Sequence, residues 1–256
     1  MNGKAVLITG GSAGIGFAVA QRMARDGAII TISGRSAEAG EKAAQKLREL
    51  SPKSMFLQGD SCDSASCAYV AAEAARRMGR IDVLVSSGAQ SQLGPMPFSQ
   101  MTALQIEDGF RIRVMGRILP LHAALPHLRN SGGGCVVMIG TDAARHPTTG
   151  ESIIGGAGAA IILMSKALAK ELARDKIRVN SVALTITSNT PSWDRVFATE
   201  SFASHLFDKA LSRFPSGRAP AAEEVAEAVR FFASDAASQI TGQTLSVNGG
   251  LSFGGW

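Results

Sequence analysis

The run Ala5-Val6-Leu7-Ile8-Thr9-Gly10-Gly11-Ser12-Ala13-Gly14-Ile15-Gly16 decides how this chain folds. A short apolar strand runs straight into a glycine-rich turn, and a helical pattern follows. Each glycine has a separate task in that reading. Gly10 permits the tight turn, Gly14 lets backbone approach a pyrophosphate, and Gly16 lets helix and strand pack closely. Ser12 and Ile15 lie in the same turn. The helix start offers unpaired N–H groups and the positive end of its dipole to an anion. A glycine-rich string alone is a weak sign, and a turn with no ligand would look similar. Its place between strand and helix, at the head of a βα series, is what gives it meaning.

Outward from this turn, aliphatic runs alternate with amphipathic stretches. The spacing predicts strands over 4–9, 28–33, 54–58, 81–86, 134–140, 177–184 and 243–247. It predicts helices over about 14–26, 36–50, 63–79, 100–129, 154–174 and 221–234. The strands are near-continuous apolar runs, as expected where both faces are buried. The expected fold is α/β: one Rossmann-type, doubly wound parallel sheet with helices on both faces, a single domain over residues 1–256. Residues 185–220 hold no strand pattern and contain Pro191, Trp193, Phe197, Phe202, Phe207 and Phe214. Two readings of that insertion stay open: an apolar lid over a substrate, or a helical insertion packing its own small core.

Composition removes several classes of function. The chain is 45% hydrophobic and 18% charged, enough apolar matter for a large core. Its net charge of +5 is spread along the sequence, and aromatic residues make up only 5%. Basic residues do not interleave with aromatics, so nucleic acid is not an expected partner. Cys62, Cys67 and Cys135 match neither a disulfide framework nor a zinc site, which suits a reducing cytoplasm. The N-terminus lacks a signal-peptide layout, and no apolar run reads as a membrane span. The expected partner is a small-molecule substrate.

The second strand ends in Ile32-Ser33-Gly34-Arg35-Ser36. A site for NAD(H) normally places a carboxylate here for the ribose 2′-hydroxyl. This chain has Arg35 instead, able to clamp a 2′-phosphate, so NADP(H) is favoured over NAD(H). Ser36 either adds a hydroxyl to that clamp or caps the next helix.

In these features the chain resembles the short-chain dehydrogenase/reductase family over nearly its whole length. Thr9 to Gly16 is similar to the family's Thr-Gly-x-x-x-Gly-x-Gly. Asp60, followed by Ser61, resembles its adenine-contacting aspartate, and Ser86-Ser87-Gly88-Ala89 stands where the family has Asn-Asn-Ala-Gly. Leu172 to Val182 and Ser234 to Gly250 resemble its later signatures. The resemblance implies an Asn-Ser-Tyr-Lys tetrad, and here the chain departs. Thr141 takes the Ser position, Ile154 the Tyr position, Gly158 the Lys position and Arg113 the Asn position. Tyr69, the sole tyrosine, sits in an early helix. Leu184-Thr185 replaces the family's Pro-Gly. Thr141 to Glu151 resembles members that oxidise hydroxyacyl-CoA thioesters.

An isoleucine carries no proton, and losing a positioned acid/base costs carbonyl reduction roughly 10²–10⁴-fold. Candidates for replacement chemistry are Thr141, Arg113 and His146. Arg113 either meets a substrate oxygen or carboxylate, or sits in an internal ion pair with Asp108 or Asp142. Arg117 is one turn on, on the same face. His146 either donates a proton or is simply solvated, and Thr141 either binds a substrate oxygen or caps its strand. Asp142 would orient His146 or pair with Arg145. Gly155, Gly156 and Gly158 predict a helix start that is frayed or pressed against another helix. Two functions follow: an NADP(H)-dependent oxidoreductase acting on an enone or an enoyl- or acyl-CoA-type substrate, or a nucleotide-binding relative without turnover. The resemblance further implies a homodimer or homotetramer.

Overall fold

A computed structural model describes residues 1–88 and 91–253. Seven parallel strands form one sheet in the order β3-β2-β1-β4-β5-β6-β7. They are β1 Ala5–Thr9, β2 Ile29–Gly34, β3 Met55–Gln58, β4 Val83–Ser86, β5 Gly134–Thr141, β6 Ile177–Leu184 and β7 Thr244–Val247. Each lies within a residue or two of its expected place. The helices are α1 Gly14–Arg25, α2 Ala37–Arg48, α3 Ser64–Met78, α4 Ala103–Asn130, α5 Ser152–Leu172, α6 Pro191–Phe197, α7 Phe202–Leu211 and α8 Ala222–Ala233.

The sheet is buried on both faces because neighbouring strand residues point opposite ways. Val6 and Ile8 of β1 join the core beneath α1, α2 and α8. Leu7 between them joins the core beneath α3, α4 and α5. β1 pairs with β2 on one side, Val6 against Ile30, and with β4 on the other, Val6 against Val83. Chain order reverses at that point, which opens a crevice beyond the carboxyl ends of β1 and β4.

The insertion packs a small core of its own and also borders the crevice. Ile186, Phe207, Phe214 and Ala219 make a small core of their own, joined by Trp193, Val196 and Phe197. The Trp193 and Phe197 rings lie 4.6 Å apart. The insertion is tied at its base, where Ser188 N donates to Pro220 O and Ala222 N to Ser188 O. Its inner side, including Ser192, Val196, Leu206 and Phe207, lines the crevice.

Two expectations are corrected. Ser152–Asp175 is long and apolar enough to cross a membrane by length and composition. In this fold that stretch covers the sheet with one side: α5 packs on α4 and β6, and Ser165 Oγ receives a 2.7 Å hydrogen bond from Ser181 Oγ of β6, while its other side, with Leu163, is exposed. The start of α5 is also regular rather than frayed, and two of its glycines press on the 3-10 turn Asp142–Ala144 and the end of β5. A Cβ at Gly155 would come 2.6 Å from Ala143 O, and one at Gly158 2.6 Å from Thr141 Cγ2. Gly156 faces open space.

The Thr141 methyl and the bare Gly158 are therefore a matched pair. Gly158→Ala is expected to lower stability by about 1–3 kcal/mol through overpacking. In a Thr141→Ser background the penalty should shrink by about 1 kcal/mol or more, giving a coupling energy in a double-mutant cycle of chemical denaturation. Additive single effects would sink the pairing.

Candidate active site

One cleft of about 1460 Å³ opens at the carboxyl ends of the strands. Gly10, Ser12, Gly14, Ile15, Gly16, Arg35, Ser36, Asp60, Ser61, Ser87 and Gly88 all line it, as do Arg113, Thr141, His146 and Ile154. Ala89 lies outside the described residues. Gly158 is buried behind the wall, against Thr141 and Ala144.

The glycine turn has the shape a pyrophosphate needs. Gly10 adopts φ +65° and Gly14 φ +52°. A Cβ at Gly10 would sit 2.7 Å from Gly88 Cα, and one at Gly16 would overlap the Gly10 carbonyl. No larger residue fits either position. The first turn of α1 has no side-chain cap and no acidic residue, so its N–H groups face the cleft unpaired by side chains. Around it the turn is braced: Gly88 N donates to Thr9 Oγ1 at 3.2 Å, and Cys62 N to Asp60 Oδ1 at 2.8 Å. Arg35 is exposed at the rim, and among the described residues no hydrogen-bond or ion-pair partner engages its guanidinium. Ser36 accepts from Ala39 N and so caps α2. The donor set fits a dinucleotide.

The other end of the cleft differs from its expected wiring. Arg113 makes neither expected ion pair. Asp108 bonds Arg111 at 3.1 Å, and Asp142 accepts from Ser246 Oγ (2.6 Å), Asn248 Nδ2 (2.6 Å) and Ser252 Oγ. That carboxylate ties the C-terminal segment to the end of β5 and is not spent on orienting His146. Arg145 reaches Ser246 Oγ at 2.8 Å. The Arg113 guanidinium donates instead to two backbone carbonyls, Gly109 O at 3.1 Å and Leu93 O. Arg117 donates to Ile139 O and to Arg113 O, the latter at 2.8 Å. Burial pushes both guanidinium groups down to about 10. Thr141 Oγ1 accepts from Ala143 N at 3.3 Å, a cap that leaves its hydroxyl proton free to donate. The exposed His146 lies on the loop beside it, its backbone N–H bonded to Asp142 O.

Sequence reasoning passed over Glu151. It is the N-cap residue of α5, three positions before Ile154, and it lines the cleft. An acidic residue at a helix start is ordinary, so nothing in its spacing stood out. Burial raises its carboxyl to about 7, against the opposing pull of Arg113 and of a Thr148 hydrogen bond. The cleft has no tyrosine; Tyr69 is exposed on α3. Among the described residues its one lysine is Lys209 on α7. Burial also drives the Cys67 thiol up to about 11 and raises Cys62, so neither is a thiolate at neutral pH.

Comparison with known proteins agrees with this architecture. The model of the enoyl-(acyl carrier protein) reductase family matches residues 10–252. The chain is 33% identical to a tropinone reductase homolog of Arabidopsis thaliana, over 100% of this chain and 81% of that one. It belongs to the short-chain dehydrogenase/reductase family of oxidoreductases. It is also 29% identical to the 4-formylbenzenesulfonate dehydrogenase TsaC1/TsaC2 of Comamonas testosteroni, over 98% of both chains. The crystal structure of levodione reductase superposes with a TM-score of 0.90 at 26% identity, covering 98% of each chain. Members of this family act on small molecules with a nicotinamide dinucleotide, the ligand class that the glycine turn fits.

The Glu151 carboxyl makes a prediction about stability. Unfolded, it ionises near 4.5; folded, near 7. Between those values the folded chain holds the extra proton, so stability falls as pH rises through the window and the loss is complete above about 7. Glu151→Gln is expected to remove this pH dependence, on the order of 2 kcal/mol between about pH 5 and pH 8. Denaturation curves at both pH values read the difference. An equal fall in variant and parent would refute it.

Proposed function

We propose that this chain is an NADP(H)-dependent reductase of a conjugated C=C bond in an enone or an enoyl-thioester substrate. The observation that carries the proposal is the contrast between the two halves of one cleft. The dinucleotide half keeps its glycines, its open helix start and an unengaged Arg35. The other half presents Ile154 where the family resemblance sets a tyrosine, and Gly158 where it sets a lysine.

Gly10, Gly14 and Gly16 with the first turn of α1 would hold the pyrophosphate, and Asp60 would take the adenine side. Arg35 would clamp the 2′-phosphate that separates NADP(H) from NAD(H), a charge-assisted contact. When bound, the nicotinamide supplies hydride. Reducing a conjugated C=C puts negative charge on the carbonyl oxygen rather than requiring a proton there at once. Arg113 and the Thr141 hydroxyl are the donors suited to that oxygen. Ile186, Val196, Leu206 and Phe207 of the insertion would give the substrate an apolar wall.

The alternative of nucleotide binding without turnover rests on the same missing pair. NADPH fluorescence titration followed by a panel of enones, enoyl thioesters and ketones separates the two. The expected result is tight binding with oxidation on the first two classes only. Binding with no turnover on any of them would leave the non-catalytic relative.

Arg35→Ala is expected to weaken NADPH by about 10-fold or more, the loss of a charge-assisted contact of about 1.5–3 kcal/mol, with NADH little changed. Equal weakening of both would contradict the 2′-phosphate assignment. We also read the chain as a homodimer or homotetramer. Leu104, Phe110 and Met115 on α4 and Leu163 on α5 are exposed on the side of the molecule away from the sheet.

A further inference from the structure

We propose that Glu151 is the proton-transferring carboxyl of the cleft, acting with Arg113 on the carbonyl of an enolisable thioester or ketone. This rests on the carbonyl-binding reading above, though not on hydride transfer.

Three segments converge to build the position. The loop before α4 docks on the turn ahead of α5, where Met96 N donates to Gly150 O at 2.9 Å. The same loop offers Leu93 O to the Arg113 guanidinium. At the start of α5, Ile153 Cγ2 lies 3.3 Å from where a Cβ on Gly109 of α4 would stand. Glu151 and Arg113 therefore flank one corner of the cleft from two different helices. They are close enough for the Arg113 charge to act on the carboxyl, yet form no ion pair within 4 Å among the described residues. Two of the five guanidinium N–H groups are committed to backbone carbonyls, which leaves donors for a ligand oxygen. Half-buried at the cleft wall and not locked in a salt bridge, the Glu151 carboxyl can change its protonation state during a reaction.

The other acid/base groups of the cleft are less suited, Asp60 accepting from Cys62 N and Asp63 from Ser66 N as the cap of α3. Asp142 is consumed by Ser246, Asn248 and Ser252. His146 is exposed, and Lys209 and Arg213 lie on the insertion. Arg111 pairs with Asp108, and Arg117 is enclosed by Ile139 O and Arg113 O. Among these charged groups Arg113 is the one that acts on the Glu151 carboxyl.

The step balances without an oxidant. The carboxylate takes an α-proton; the C–H pair forms the C=C bond, and the carbonyl π pair moves onto oxygen, giving an enolate beside Arg113. In reverse, the carboxyl returns a proton to the α-carbon and is again a carboxylate. Between the two, water at the open side of the cleft exchanges the carboxyl proton. The returning half is also what completes reduction of a conjugated C=C.

The test uses the full chain with no cofactor, in D2O near neutral pD. The probe is S-butyryl-N-acetylcysteamine, with loss of its α-methylene signal followed by proton NMR. The parent chain is expected to exchange these protons above the protein-free rate. Glu151→Gln should lower that rate by roughly 10²-fold or more. Glu151→Asp, which keeps the acid but withdraws it by one methylene, should retain a measurable fraction. The thermal transition and NADPH affinity of each variant show that it is folded. Exchange by Glu151→Gln at the parent rate, or none by the parent above the protein-free rate, overturns the proposal. NADPH oxidation failing across the panel while exchange persists removes the reductase reading alone. Reduction that survives Glu151→Gln unchanged removes the role of Glu151 alone.

Discussion

The close approach of α1 to β1 is the constraint on which the rest of the molecule depends. Gly16 has no Cβ because the Gly10 carbonyl occupies its place, and Gly10 has none because Gly88 does. This brings the start of a helix, the end of β1 and the end of β4 to one point. Since both strands are central and parallel, that point is also where the connections diverge to opposite faces. An uncapped helix start facing solvent leaves donors unsatisfied. Here that feature is what makes the site receptive to an anion, and the crevice between the diverging connections shields it.

The far half of the cleft solves a different problem. Two guanidinium groups on adjacent turns of α4 are buried, and burying an unpaired charge is costly. Backbone carbonyls of Leu93, Gly109, Ile139 and Arg113 itself take up the donors. The arrangement satisfies hydrogen bonding without cancelling charge. A net positive corner remains beside Thr141 and Glu151, the electrostatic setting an oxyanion needs. Asp142, next in sequence to Thr141, is used up in fastening the C-terminal segment to β5.

The match between Thr141 and Gly158 bears on how such a cleft can change. The Thr141 methyl fills the space that any side chain at 158 would need. A larger residue at 158 therefore requires a change at 141 as well. Side-chain size at 158 and at 141 is thus coupled by packing, because the interior has no room for both.

The order and type of the sheet elements, the glycine turn and the Arg35 substitution were legible in the sequence. Each depends on local rules: apolar runs of strand length, turn glycines at fixed offsets, and a charge at the end of β2. The insertion was also visible as an apolar stretch without a strand, but that its inner side lines the cleft shows only in three dimensions. Partners across the fold were not legible. Arg113 was expected to find Asp108 or Asp142, whereas carbonyls from a loop 20 residues upstream and from its own helix receive it. Glu151 looked like any acidic residue at a helix start, because its place in the cleft depends on segments distant in sequence, such as the loop whose Met96 N bonds Gly150 O. Periodicity and turn chemistry are carried by neighbours along the chain, so the sequence alone determined the frame. Charge environment and burial are sums over neighbours in space, so only the tertiary structure decided which side chains the frame leaves free to react.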